Sequence, residues 1–346
     1  MPMLGLHQGI SRAITDIKGG ISFDGFLVAD DGNDMIYKVD SQGNAALWAT
    51  PDSGWVVYGH CVAHDGSGRV LALVDDSTGG AGVRAFLYGE GAAFEATAPT
   101  PTIIATYANI YRDIGIWWDH ANGLWVICAT QSGAGDGLST ILDESPYTFT
   151  NLIGTPDRIN SQGHPPTNQH FVYNRYDPTY PNDLLVQTIG DYSPPPVGIG
   201  TTGNFIQGWD GTMCVIPSTA PNMGGGKYVL SASAGSSGRV ALHNRDTGVE
   251  TFLWSALSDS CSPRGVWYDP ITELCYISVK MNSGNTYNGI LAFEPRTTTF
   301  DILDCTLFAS MNSLTGWTGG GSSTFHNIRP IYSGDSLYDS GIFDDA

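Results

Sequence analysis

The sequence has little positive charge. Lysine and arginine together number 15, and only four of these are lysines, against 34 aspartate and glutamate residues, so that the formal net charge is −19. Proteins that bind nucleic acid neutralise its phosphates with a basic surface, and anionic membrane surfaces attract basic segments in the same way. The charge balance therefore predicts that neither nucleic acid nor a membrane is a partner.

The sequence also lacks targeting and membrane-spanning signals. No run approaches the ~18 apolar residues of a membrane span. The N-terminal stretch MPMLGLHQGISRAITDIKGG has neither the basic start nor the apolar centre of a secretory signal. We expect a protein that is made in the cytoplasm without a signal peptide and that stays there or leaves by lysis or a leaderless route.

Cysteine spacing excludes two further classes of site. None of the six cysteines forms a CxxC pair, which argues against a zinc knuckle and a redox motif. Four of them lie in apolar runs typical of strands, where a cysteine behaves as a small buried hydrophobe. We expect buried free thiols, and Cys261 with Cys305 is the one pair that we would test for a disulfide.

What the sequence does have is glycine, proline and short apolar runs. With 44 glycines and 19 prolines in 346 residues, long helices are disfavoured and turns are frequent. Hydrophobic residues make up 41% of the chain, which is enough to build a core. These features predict an all-β protein with one large, repetitive domain.

The stretch from Phe26 to Gly43, FLVADDGNDMIYKVDSQG, predicts a β-hairpin. Two apolar runs flank a turn rich in Asp, Gly and Asn, residue types that tolerate or stabilise turn conformations. The stretch resembles one blade of an NHL-type β-propeller, in which a Val-Ala-Asp strand end, a Gly-Asn turn and an Ile-x-x-Val-Asp strand recur. The resemblance implies a propeller fold.

A strand ending in Asp recurs along the chain. From Asp65 to Asp269 it returns in four steps of about 51 residues, the spacing expected for four-stranded propeller blades. We predict a β-propeller of six four-stranded antiparallel blades over residues 21–346, with seven blades as the alternative and residues 1–20 as a segment leading into it. The aromatic-Asp turns, such as Tyr268-Asp269, are expected to be structural. The C-terminal stretch 325–332 is expected to pair with the N-terminal hairpin, which closes the ring.

A polar residue stands where the innermost strand of each repeat is predicted to begin. These residues are His60, Asp113, His170, Asn204, Arg264 and His326. In a propeller such positions meet at one end of the central channel, and imidazole and carboxylate groups bind divalent metals. His60, Asp113, His170 and His326 are therefore candidate ligands of one divalent metal. Alternatively, these polar side chains bind no metal and form hydrogen bonds with ordered water and neighbouring backbone groups at the end of the channel.

The long loops contain aromatic residues that are suited to binding. Tyr and Trp offer large contact areas at a small entropic cost, so they could stack on a sugar or on a protein partner. Alternatively, these loops fold onto their own aromatic side chains. The candidates are Tyr176, Tyr180, Tyr192, Tyr287 and Trp317.

Two functions follow as expectations. The absence of a catalytic motif and the irregular repeats favour a non-enzymatic structural or binding propeller. We expect it to be a virion component, at a phage tail or on a capsid, whose partners are other subunits of the assembly or a host-surface glycan or protein; no single motif carries this expectation. The alternative is a metal-dependent lactonase-like hydrolase with its site in the central channel, a function implied by the resemblance to gluconolactonase-like six-bladed hydrolases.

Overall fold

The computed structural model describes most of the chain. The described residues are 20–30, 35–50, 55–56, 62–76, 82–108, 110–119, 123–131, 137–142, 147, 149–154, 158–162, 170–176, 183–188, 197–201, 212–233, 239–255, 261–281, 289–312, 314 and 325–334. The predicted leading segment therefore lies, except for Gly20, outside the described residues. No helix in the described ranges is long and apolar enough to cross a membrane.

The described residues form 25 strands and two 3₁₀ helices, Ala92–Phe94 and Ile302–Asp304, and no α-helix. The all-β prediction is therefore confirmed. The strands in chain order are β1 (Ser22–Asp30), β2 (Met35–Asp40), β3 (Ala45–Ala49), β4 (Trp55–Val56), β5 (Val62–His64), β6 (Val70–Asp76), β7 (Gly82–Tyr88), β8 (Thr102–Ala108), β9 (Ile110–Asp119), β10 (Leu124–Gln131), β11 (Gly137–Leu142), β12 (Phe149–Gly154), β13 (Arg158–Gln162), β14 (His170–Tyr176), β15 (Asp183–Thr188), β16 (Val197–Thr201), β17 (Thr212–Ile216), β18 (Tyr228–Ser233), β19 (Arg239–Asn244), β20 (Glu250–Ser255), β21 (Cys261–Asp269), β22 (Leu274–Met281), β23 (Gly289–Phe293), β24 (Thr306–Ser310) and β25 (Phe325–Ser333).

These strands form six antiparallel sheets. Sheet 1 has the order β25-β1-β2-β3, sheet 3 contains β9 to β12, sheet 4 β13 to β16, sheet 5 β17 to β20 and sheet 6 β21 to β24. In sheet 2, β4 and β5 both pair with β6, which is followed by β7 and β8. The predicted four-stranded antiparallel units and the shared sheet of the two chain ends are confirmed.

The sheets are arranged in a closed cycle. We call the strand that opens each sheet order its first strand: β25, the pair β4 and β5, β9, β13, β17 and β21. Contacts link β25 to β5, β5 to β9, β9 to β13, β13 to β17, β17 to β21 and β21 back to β25. The first strands therefore surround one axis. Six sheets are counted among the described residues, and the blade number of the complete ring stays a prediction.

Neighbouring sheets are joined by aromatic side chains and main-chain hydrogen bonds. Trp48 of sheet 1 packs on Tyr88 of sheet 2, with ring centroids 4.8 Å apart, and its carbonyl oxygen accepts a 2.7 Å hydrogen bond from the Ala98 amide. Sheets 5 and 6 repeat this arrangement, because the Phe300 amide donates to the Leu253 carbonyl at 2.8 Å. In both cases the connection between the third and fourth strands of one sheet covers the outermost strand of the preceding sheet.

A buried polar network joins sheets 6 and 1, where the ring closes. The indole N–H of Trp267 donates to the Tyr332 hydroxyl at 2.9 Å, and that hydroxyl donates to Asp269 Oδ1 at 2.8 Å. The Asp269 carboxylate also accepts the backbone N–H groups of Ile271 and Thr272, at 3.2 and 2.7 Å. The predicted structural role of the aromatic-Asp turn is seen here directly.

The described thiols are buried. Cys214, Cys275 and Cys305 are free cysteines. Burial raises the pKa of the Cys305 thiol to about 12 and raises the pKa values of the Cys214 and Cys275 thiols well above their ordinary value. Because Cys305 is free, the disulfide considered between Cys261 and Cys305 is not formed.

Candidate binding site at the broken first strands

The first strand of sheet 6 is broken by a β-bulge. Pro263 is paired with Val279 and Val266 with Ile277, so that Arg264 and Gly265 together lie opposite the single residue Ser278. The buried Ser278 hydroxyl accepts the Gly265 amide at 2.6 Å, which satisfies a donor that the ladder leaves without its usual partner. The sequence-predicted residue Arg264 is half-buried in this bulge.

The first strand of sheet 3 is broken at the corresponding place. Tyr111 is paired with Thr130 and Gly115 with Cys128. The three residues 112–114 therefore lie opposite one residue of β10. Asp113, the second predicted residue, is in the middle of this bulge.

The first strand of sheet 1 carries a third bulge. Phe325 is paired with Asp30 and Asn327 with Ala29, which leaves His326 as the extra residue. His326 is the third of the predicted positions.

The first strand of sheet 2 is described in two pieces. β4 ends opposite Asp75 and β5 begins opposite Ala72. His60, the predicted residue of this sheet, lies outside the described residues.

These three bulges define the candidate site. Each lies in the N-terminal half of its first strand, so all three lie toward the same end of the axis. A β-bulge turns the side chain of the extra residue away from its regular direction and is common beside functional sites. Three chain segments that are far apart in sequence therefore bring bulged backbone and the positions of Asp113, Arg264 and His326 to one end of the ring.

His170 does not belong to this group. It begins β14, the second strand of sheet 4, where it is paired with Thr188. Because β14 runs antiparallel to β13, β14 begins beside the C-terminal end of β13. His170 therefore lies at the end of the sheet opposite to the candidate site. The prediction that His170 opens an innermost strand is wrong, because the real first strand, Arg158–Gln162, reads RINSQ and has a single strongly apolar residue to mark it.

The same correction moves Tyr176 to the candidate end. Tyr176 is the last residue of β14 and is paired with Arg158, the first residue of β13. It therefore ends a second strand, whereas the sequence analysis placed it among the aromatic residues of the long loops. Arg158 was missed by the sequence reasoning, since its strand was not recognised.

The remaining predicted positions cannot be placed. Asn204, Tyr180, Tyr192, Tyr287 and Trp317 lie outside the described residues. The part of the chain that is described contains no group of three His, Cys, Asp or Glu side chains that could hold a metal ion. The metal site stays a prediction.

A Ser-His pair in sheet 5 is not a catalytic candidate. Ser231 Oγ lies 2.9 Å from His243 Nε2, and burial lowers the pKa of His243 to about 4, so its ring is neutral above that pH. Both side chains are buried, which keeps a substrate away from the hydroxyl. Glu250, opposite His243 in the neighbouring strand, has its pKa raised to about 7 by burial, an effect that Arg239 opposes.

Comparison with known proteins identifies the fold. No protein-family model matches the chain, and no curated protein matches it either. Among solved structures, a chain from the crystal structure of a nidogen/laminin complex superposes with a TM-score of 0.54 at 13% identity, over 88% of this chain and 97% of the other. That chain is of the β-propeller type. The fold is a β-propeller.

Two further propeller-type structures are similar at lower scores. They are an oligogalacturonate lyase in complex with manganese (TM-score 0.46, 9% identity, 78% of this chain and 75% of the other) and a TolB-like protein from Agrobacterium tumefaciens (0.45, 14%, 66% and 76%). At these scores and identities the activities of the two proteins carry no argument for this one. In a propeller the first strands line a central channel, so the candidate site is one end of that channel.

Proposed function

We propose that the protein is a non-enzymatic binding and structural β-propeller that makes protein–protein contacts in a larger assembly. The observation that carries the proposal is the coincidence of first-strand bulges with Asp113, Arg264 and His326, three of the polar positions that the sequence predicts at the channel end. Regular strands would keep such residues in the ladder, whereas the interruptions set irregular backbone and polar residues together at one channel end.

The outermost strands of the propeller provide a second argument for protein partners. Large apolar side chains are exposed on the outermost strands of three sheets: Ile103 on β8 (51% exposed), Phe252 on β20 (47%) and Leu307 on β24 (38%). These outward-facing apolar side chains are the positions that we propose as contacts with protein partners.

For the assembly we propose a virion, with the propeller at a phage tail or on the capsid. Its partners there would be neighbouring subunits or a glycan or protein of the host surface. A closed ring of sheets suits such a role, because a propeller protects its strand edges and holds its loops rigidly. The resemblance of the sheet 1 hairpin to an NHL-type blade is part of the same proposal.

The hydrolase alternative has less support. A metal-dependent lactonase-like enzyme was predicted to use His60, Asp113, His170 and His326, but His170 lies at the opposite edge of its sheet. The three other residues remain candidates for a divalent metal.

Sedimentation of the purified full-length chain tests the proposal. We expect self-association or co-sedimentation with particles from its source, detected with an antibody against the chain. Ile103→Asp and Leu307→Asp should weaken association, and the matched substitutions Thr102→Asp and Thr306→Asp at exposed neighbouring positions should not.

A chain that stays monomeric at high concentration and is absent from particles would contradict the proposal. Metal analysis of the same preparation addresses the alternative. Stoichiometric divalent metal that is lost in His326→Ala would favour the hydrolase.

A further inference from the structure

The first strands differ in charge from the rest of the chain. As described, they contain four arginines, Arg112, Arg158, Arg264 and Arg329, and three acidic residues, Asp113, Asp119 and Asp269. Their formal charge is thus +1, whereas the whole chain carries −19, so everything outside them sums to −20. Arginine is concentrated in the one set of strands that lines the channel.

Three of the four arginines lie toward the candidate site. Arg112 belongs to the bulge of β9 and Arg264 to the bulge of β21, and Arg158 is the first residue of β13. Arg329 lies further along β25, opposite Leu27, and is only 2% exposed. Since β9 contacts β13 and β21 contacts β25, the four arginines occupy two pairs of adjacent strands.

Two of the three acidic residues lie at the other end. Asp119 and Asp269 are the last residues of their strands, at the turns to the second strands. The Asp269 carboxylate is engaged by backbone amides and Tyr332. Asp113 is the single acidic residue that the described first strands have near the candidate site.

An arginine side chain is suited to binding oxyanions. Its guanidinium group stays charged at all ordinary pH values and presents a rigid fork of N–H donors that matches carboxylate and phosphate oxygens. A cleft lined with one sign of charge between low-dielectric walls concentrates that field. In a chain of net charge −19, three arginine positions at one channel end, with Asp113 as their acidic neighbour on the first strands, favour an anion there.

We propose that the channel end defined by Arg112, Arg158 and Arg264 binds an oxyanion, a phosphate or a carboxylate group. This inference deepens the proposed function, since it assigns the chemistry of the group that the candidate site recognises. That group belongs either to a small molecule or to an acidic segment of a protein partner.

Calorimetric titration of the isolated full-length chain tests this. The probes are inorganic phosphate, citrate and a hexaglutamate peptide, each compared with chloride at the same ionic strength. Arg158→Gln and Arg264→Gln are expected to weaken binding of the preferred probe about tenfold each, which corresponds to the loss of one charge-assisted contact of ~1.4 kcal/mol. Arg239→Gln is the matched control, because Arg239 lies on a third strand with its guanidinium over the Phe252 ring at 4.6 Å.

Arg264→Lys guards against misfolding of a glutamine variant. This variant keeps the positive charge and loses the planar set of guanidinium N–H donors. Its affinity for the preferred probe should therefore fall between those of the wild type and Arg264→Gln. Preference for phosphate or citrate would assign a small ligand, and preference for the peptide an acidic partner segment.

Two results would overturn the inference. One is a wild-type chain that binds none of the probes beyond the chloride reference, and the other is equal affinity in the channel variants and in Arg239→Gln. Neither result depends on whether the chain assembles. A chain that is monomeric in sedimentation would therefore reject the proposed function and leave the oxyanion proposal to be decided by the titration.

Discussion

Replacing Tyr332 by phenylalanine tests whether the buried network at the junction of sheets 6 and 1 stabilises the closed ring. The change removes one oxygen atom and keeps the ring, which packs near Trp267 and Phe23 with centroids 6.5 and 5.9 Å away. The lost hydroxyl accepts from the Trp267 indole and donates to Asp269, and all three side chains are buried.

The magnitude follows from the two groups that lose their partner. An unsatisfied buried N–H costs about 1–3 kcal/mol, and a hydrogen bond to a charged group contributes about 1.5–3 kcal/mol. The Asp269 carboxylate keeps its two backbone donors, which limits the second loss. We therefore expect the free energy of unfolding to fall by about 3 kcal/mol.

Urea denaturation measures this loss, with Tyr88→Phe as the control. Tyr88 is another buried tyrosine that packs on a tryptophan at a sheet junction, and it is not part of the network. Combining Tyr332→Phe with Trp267→Phe should cost less than the sum of the two single changes, because each removes the same hydrogen bond. A loss under about 0.5 kcal/mol for Tyr332→Phe, or strict additivity in the cycle, would refute the reasoning.

Three further predictions concern other parts of the propeller. Gly43→Ala should cost at least about 3 kcal/mol, because Gly43 has φ +82° and a Cβ there would overlap the Phe308 carbonyl oxygen. Gly91→Ala, at φ +77° with open space around it, should cost only about 1 kcal/mol in the same denaturation assay, and equal losses would contradict the argument. Glu250 has a folded-state pKa raised to about 7, so its contribution to stability is present below its unfolded pKa of about 4.3 and is lost as the pH rises through 7. The urea midpoint of Glu250→Gln should accordingly change less between pH 5 and pH 8 than that of the wild type, and identical pH profiles would exclude this role. The buried thiols Cys214, Cys275 and Cys305 should resist a thiol reagent at pH 8 in the folded protein and react after denaturation; peptide mapping would detect labelling of the native protein, which would argue against their burial.

The local sequence pattern was sufficient to predict pairing between strands that are joined by a short turn. The alternation around Phe26–Gly43 predicted the hairpin that the structure shows as β1 and β2, with Asp30 paired with Met35. The pairing of the C-terminal stretch with that hairpin was predicted from the need to close a ring, and β25 pairs with β1 along almost its whole length. Both predictions depend on short-range turn chemistry or on topology, which sequence reports well.

The pattern failed where a strand is short of apolar residues. Arg158–Gln162 is a first strand that lacks apolar alternation, so His170 was assigned to the wrong strand of its sheet. Once one strand is missed in an antiparallel sheet, the following strand is placed at the wrong end, because neighbouring strands run in opposite directions.

By itself the sequence determined that this protein is all-β, that its strands return with a period of about 51 residues and that its two ends share one sheet. These properties depend on turn residues and alternation, which act over a few neighbours. Only the tertiary structure decided which strand of each sheet faces the channel, where the first strands are broken and that four arginines lie among them. Register and bulges depend on partners tens or hundreds of residues away, as Phe325 and Asp30 illustrate, and those partners meet only when the ring closes.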